Sequence, residues 1–60
     1  MITNTNILNR VEMAIELATS FIKSNFSTYD AVESAMDQFG LTYEEQSSEI
    51  FDLICRMLAN

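Results

Sequence analysis

Phe39-Gly40-Leu41-Thr42-Tyr43-Glu44-Glu45, residues 39–45, is the stretch on which the fold turns. Gly40 is the single glycine of a chain without proline, so it is the strongest punctuation available. A glycine in the left-handed conformation commonly ends a helix, and Leu41 stands where it can fold back onto Met36 in a Schellman-type contact. Thr42, with Glu45 three residues on, reads as a capping box that restarts the chain at once. The segment therefore predicts one helix ending near residue 39 and another beginning near residue 43.

Working back from this break, Tyr29, Val32, Ala35, Met36 and Phe39 recur at helical spacing. Asp30, Glu33 and Asp37 take the opposite face. Ser27 followed by Asp30 is a capping-box-like start, with an acid where the helix dipole favours one. These signals predict a helix over about 28–39. The break before it is Ser24-Asn25-Phe26-Ser27. Earlier still, Ile7, Leu8, Val11, Ala14, Ile15, Ala18, Phe21 and Ile22 fall on one stripe of a helix over about 6–24. Leu8, Ile15 and Ile22 repeat every seven residues with Val11 and Ala18 between them, the pattern of a seam between packed helices. Asn4, Thr5 and Asn6 are all competent N-caps. Arg10, Glu12, Glu16, Thr19 and Lys23 lie off the stripe. So do Met13 and Leu17, which are four residues apart and adjacent on the helix surface.

Beyond the break, a third helix is expected over about 43–58. Tyr43, Ser47, Ile50, Ile54 and Met57 form its seam, widened by Leu53 and Leu58 and carried towards the far side by Phe51 and Cys55. Its first half is polar. Its second half, Ile50 to Ala59, is interrupted only by Asp52 and Arg56. Such a helix is apolar around most of its circumference. A chain of 60 residues buries only about 60% of the surface that its unfolded form exposes. A second protein surface is therefore expected to cover Ile50, Phe51, Ile54, Met57 and Leu58. Met13 and Leu17 form a smaller candidate docking patch. The fold expected is all-α: a compact three-helix bundle, a single domain over 1–60, with helices 1 and 3 the longer pair, associating as a homodimer.

Composition narrows the chemistry. Histidine is absent and Cys55 is the one cysteine. No internal disulfide is possible, and nucleophilic sites that rely on an imidazole base have no candidate. One glycine cannot build a phosphate-cradling loop. The apolar run around Cys55 gives it the setting of a structural thiol. Rows of acids at helical spacing, such as Glu12 with Glu16 and Glu45 with Glu49, are the ordinary solvated side of amphipathic helices. No enzyme activity, metal or cofactor is expected. No stretch reaches the roughly 20 apolar residues of a membrane span, and the first residues lack the pattern of a secretory signal. A cytoplasmic protein is the expectation.

Net charge is −6, from nine acids against three bases. That disfavours direct binding to nucleic acid or to anionic membranes, both of which call for Lys and Arg. A helix-turn-helix reading of residues 28–58 fails for the same reason. Its second helix would present Tyr43, Glu44, Glu45, Gln46 and Glu49 to phosphate. The charge is compatible with a protein partner that has a basic surface. Chains this short, acidic and catalytically bare look like the accessory and inhibitor proteins of bacteriophages and mobile elements, a likeness of size and charge alone. The leading expectation is a small acidic interaction module that regulates or inhibits a partner protein. One alternative is a nucleic-acid-mimicking inhibitor, of anti-CRISPR or anti-restriction type, that uses Asp30, Glu33, Asp37, Glu44, Glu45, Glu49 and Asp52. Another is a structural subunit of a larger assembly.

Overall fold

The computed structural model describes residues 3–59, with side chains from Ile7 onward. The described residues form three α-helices: α1 (Thr3–Lys23), α2 (Thr28–Gln38) and α3 (Ser47–Ala59). A short 3-10 helix, Leu41–Tyr43, lies between α2 and α3. There is no strand among the described residues. The Cα atoms span 38 × 20 × 17 Å.

α1 starts earlier than its capping residues suggest. Asn4, Thr5 and Asn6 lie inside it rather than at its edge, and their side chains are outside the described set. Its end is built as a full Schellman motif. Asn25 takes the left-handed conformation at φ 79°. The Phe26 N–H donates to the Phe21 carbonyl and the Asn25 N–H to that of Ile22, each at 3.0 Å. The Phe21 and Phe26 rings stack at 4.7 Å between centroids, supplying the apolar contact of the motif. Two residues later Ser27 caps α2, its hydroxyl oxygen accepting from the Asp30 N–H at 3.2 Å.

The turn is short enough that α1 and α2 run antiparallel, and they form the most extensive helix contact. Ala14 and Ala18 of α1 and Ala31 and Ala35 of α2 are all fully buried. Each pair is spaced by one helical turn, so each helix has a smooth patch. Small side chains allow the axes to approach towards the lower end of the usual 8–10 Å range. Val11, Val32, Met36, Leu41, Ile50 and Ile54 complete the core. This rotates the α1 seam away from its expected centre. Ile15 and Ile22 are half-buried, and Leu8 is 62% exposed. Arg10 is already level with Phe39 at the end of α2, so Leu8 projects past that end of the bundle.

The third helix starts four residues later than expected. Gly40 is left-handed at φ 72°, and its N–H donates to the Asp37 carbonyl at 3.2 Å. Leu41 is driven fully into the core. The capping box from Thr42 to Glu45 does not form. The Thr42 hydroxyl turns back to Asp37 Oδ1 at 3.5 Å, and Glu44 is extended (φ −78°, ψ 151°). Tyr43, expected on the seam, is 86% exposed. α3 has 13 residues, and α1, with 21, pairs principally with α2. The Tyr29 ring lies 5.2 Å from the Phe51 ring, so α3 runs antiparallel to α2 and parallel to α1.

Two substitutions test these features by urea denaturation. Ala18→Leu forces a large side chain into the α1–α2 contact and is expected to cost about 1–3 kcal/mol. At Gly40 an added Cβ would meet its nearest neighbour, Arg10 Nη1, at an ordinary 3.6 Å. Gly40→Ala is therefore expected to cost about 1 kcal/mol through the left-handed backbone alone.

Candidate interaction surface

α2 carries no basic residue in its own last turn. The negative end of its dipole and its last carbonyls are served from another helix instead. Arg10 Nη1 donates to the Phe39 carbonyl at 3.0 Å, and Nη2 donates to Glu44 Oε2 at 2.8 Å. The two side chains retain 24% and 30% of their exposure. One guanidinium thus clasps α1, the end of α2 and the turn that leads into α3. Its Nε–H is buried and has no partner among the described residues, a cost that offsets part of the gain. In the sequence Arg10 is marked only by lying off the apolar stripe. The available signal was a helix ending in Asp37-Gln38 with no cation of its own.

The clasp changes the acidic face. Glu44, expected among its freely presented charges, is half-buried against Arg10. Asp30, Glu33 and Asp37 are exposed along the outer side of α2. Glu45 lies in the turn before α3. Glu49 and Asp52 are exposed on α3, but helical register puts Arg56 on the same outer side. The row expected on helix 3 is therefore shorter and is followed by a base one turn beyond Asp52. Among the described residues no three Cys, Asp or Glu side chains are grouped to hold a metal ion, and no helix is long and apolar enough to cross a membrane.

The apolar candidates divide into three groups. Ile50 and Ile54 are core residues of their own chain and are not available on the surface. Phe51, Cys55 and Leu58 are half-buried against that core. Leu53, 46% exposed, and Met57, 53% exposed, remain as the open part of the α3 tail. The chain thus covers more of the tail than composition suggests, because Leu41 and the α1–α2 alanines let α3 seat two isoleucines deeply.

Met13 and Leu17 sit elsewhere. With Phe39, just past the end of α2, they line a shallow cleft of about 280 Å³ on one flank of α1. Ile15 and Ile22 occupy the other flank of α1. On α3, Phe51 and Ser48 face the α2 side, which leaves Leu53 and Met57 on the edge away from α2. With α2 on one side of both helices, the remaining flanks of α1 and α3 are neighbours. By register, Ile15 and Ile22 of α1 and Leu53 and Met57 of α3 lie on these flanks.

On the opposite edge of α3 is a cleft of about 290 Å³ between α2 and α3, bordered by Tyr29, Glu33, Met36, Thr42, Ser47, Ser48 and Phe51. A second cleft of about 430 Å³, lined by Glu33, Ser34, Asp37 and Thr42, adjoins it through Glu33 and Thr42.

Comparison with protein-family models, with characterised proteins and with solved structures gives no match to this chain.

Arg10→Met, which keeps an apolar stem but removes the clasp, is expected to lower stability by about 1–3 kcal/mol. Arg10→Lys is expected to recover little, because a single ammonium cannot reproduce the two-armed fork. Urea midpoints for both variants check this.

Proposed function

We propose that the chain is a small acidic interaction module that regulates or inhibits a partner protein by contact, and that it self-associates through the strip formed by α1 and α3. The observation that carries this reading is the exposure of Leu53 and Met57 on successive turns of α3; by register the half-buried Ile15 and Ile22 lie on the facing flank of α1. Exposed apolar residues scattered singly need no explanation, whereas contiguous ones mark contact surfaces. The dearth of catalytic residue types in the sequence supports the same class of function.

Size sets the strength of the self-association. A standard interface takes about 800 Å² from each partner, close to a fifth of the 4368 Å² surface of this molecule. From Ile15 to Ile22 the strip runs only about 10 Å along α1. Dimerisation through it is expected to be micromolar or weaker. That suits a protein that exchanges its own copy for another partner.

The phosphate-mimicking alternative draws support from Asp30, Glu33 and Asp37, which are exposed in one row on α2. It loses Glu44 to the Arg10 clasp and meets Arg56 on α3. Ionic strength separates the two readings: occupancy of a basic groove weakens steeply with salt, and apolar docking does not.

Sedimentation equilibrium over a concentration series tests the self-association. The wild-type mass is expected to rise towards that of a dimer at high micromolar concentration. Leu53→Glu combined with Met57→Glu should hold it at the monomer while leaving the helical circular dichroism unchanged, since both side chains are already exposed. A wild-type protein that stays monomeric throughout would sink the homodimer.

A further inference from the structure

We propose that the cleft between α2 and α3 receives an arginine side chain from a basic segment of a partner protein. This deepens the proposed function and rests on its premise of action by protein contact, but it does not depend on self-association, which uses the other edge of α3.

The side-chain charge around the cleft has one sign. Its charged borders are Glu33 and, through the adjoining cleft, Asp37. Of the bases, Arg10 is committed to Glu44, Lys23 ends α1, and register puts Arg56 on the outer side of α3. A phosphate or a carboxylate would be repelled by the bordering acids, with only the first turn of α3 at Ser47 and Ser48 to attract it, and a purely apolar ligand would strand carboxylates and hydroxyls. A cation satisfies both.

The aromatic wall makes the choice narrower. Tyr29 is 61% exposed, and its ring lies at 57° to that of Phe51. A guanidinium can lie flat over the face of one ring and still direct its edge donors at a carboxylate, which an ammonium cannot do. Met36, buried beneath the cleft, offers a polarisable floor for the methylene stem. The hydroxyl of Thr42 at the junction of the two clefts is a further acceptor. A second arginine nearby in the same segment would reach Asp37 in the adjoining cleft.

The test is a two-dimensional NMR titration of the full chain with acetyl-Arg-Ala-Arg-amide and with its lysine counterpart. Saturable shifts are expected at Tyr29, Glu33, Phe51 and their neighbours. The lysine peptide should bind roughly two- to fivefold more weakly, as should Tyr29→Ala towards the arginine peptide, the loss of one partly exposed cation–π contact. Glu33→Gln should also weaken binding, whereas Glu12→Gln, an exposed acid on α1, should not. The proposal is overturned by silence at millimolar peptide, by equal affinity for the lysine peptide, or by shifts at Glu12 and Glu16 as large as those at Glu33. Failure here with an intact concentration-dependent dimer removes the cleft assignment alone. Loss of the dimer in Leu53→Glu/Met57→Glu with peptide binding retained leaves the cleft assignment standing.

Discussion

The guanidinium of Arg10 governs more of this structure than any other polar group. A helix end presents carbonyls without intrahelical partners and a partial negative charge. α2 ends with acids nearby and no base of its own, so the cation has to come from another element. Arg10 brings it from α1 and, with its second arm, pulls Glu44 out of what would otherwise be the first turn of a helix. An extended Glu44 means that α3 cannot begin at Tyr43. The later start confines α3 to 13 residues and leaves Glu44, Glu45 and Gln46 in the turn before it.

The core obeys a second constraint, which is size. Sixty residues cannot surround a wide core of large side chains. Here the α1–α2 contact is made of alanines, which pack closely with little side-chain entropy to lose. Large residues are reserved for the place where the third helix closes over them: Met36, Leu41, Ile50 and Ile54. The outer rows of α2 and α3 are free to be polar, and the aromatic residues Tyr29 and Phe51 border a cleft instead of filling the centre.

Local signals made most of the fold legible. Ser27 with Asp30, and Gly40 with buried Leu41, fix the ends of α2 through hydrogen bonds only a few residues apart, and such signals can be read along the chain. Periodicity found the buried faces but misplaced their centres. It gave Leu8, Ile15 and Ile22 weight by size, whereas close packing favoured Ala14 and Ala18. The start of α3 was illegible because Arg10, which pairs with the extended Glu44, lies 34 residues away from it. The candidate surface was legible in kind but not in detail. An apolar tail was evident, yet its split into sealed Ile50 and Ile54 and open Leu53 and Met57 depends on how α3 is rotated against α1 and α2. The α2–α3 cleft, assembled from both helices and the turn between them, had no signature in any single segment.

The stacked phenylalanines at the α1–α2 turn bear on how the chain finds its shape. Phe21 and Phe26 are five positions apart and meet as soon as the turn forms, so little loop entropy is surrendered before an apolar contact repays it. Contacts between near neighbours in sequence favour rapid folding. A helical hairpin nucleated there would present its alanine-lined pairing and the side of Met36 as a template before α3 had settled. In a chain with so little interior, that order of events limits the time during which its greasy terminus is without a seat.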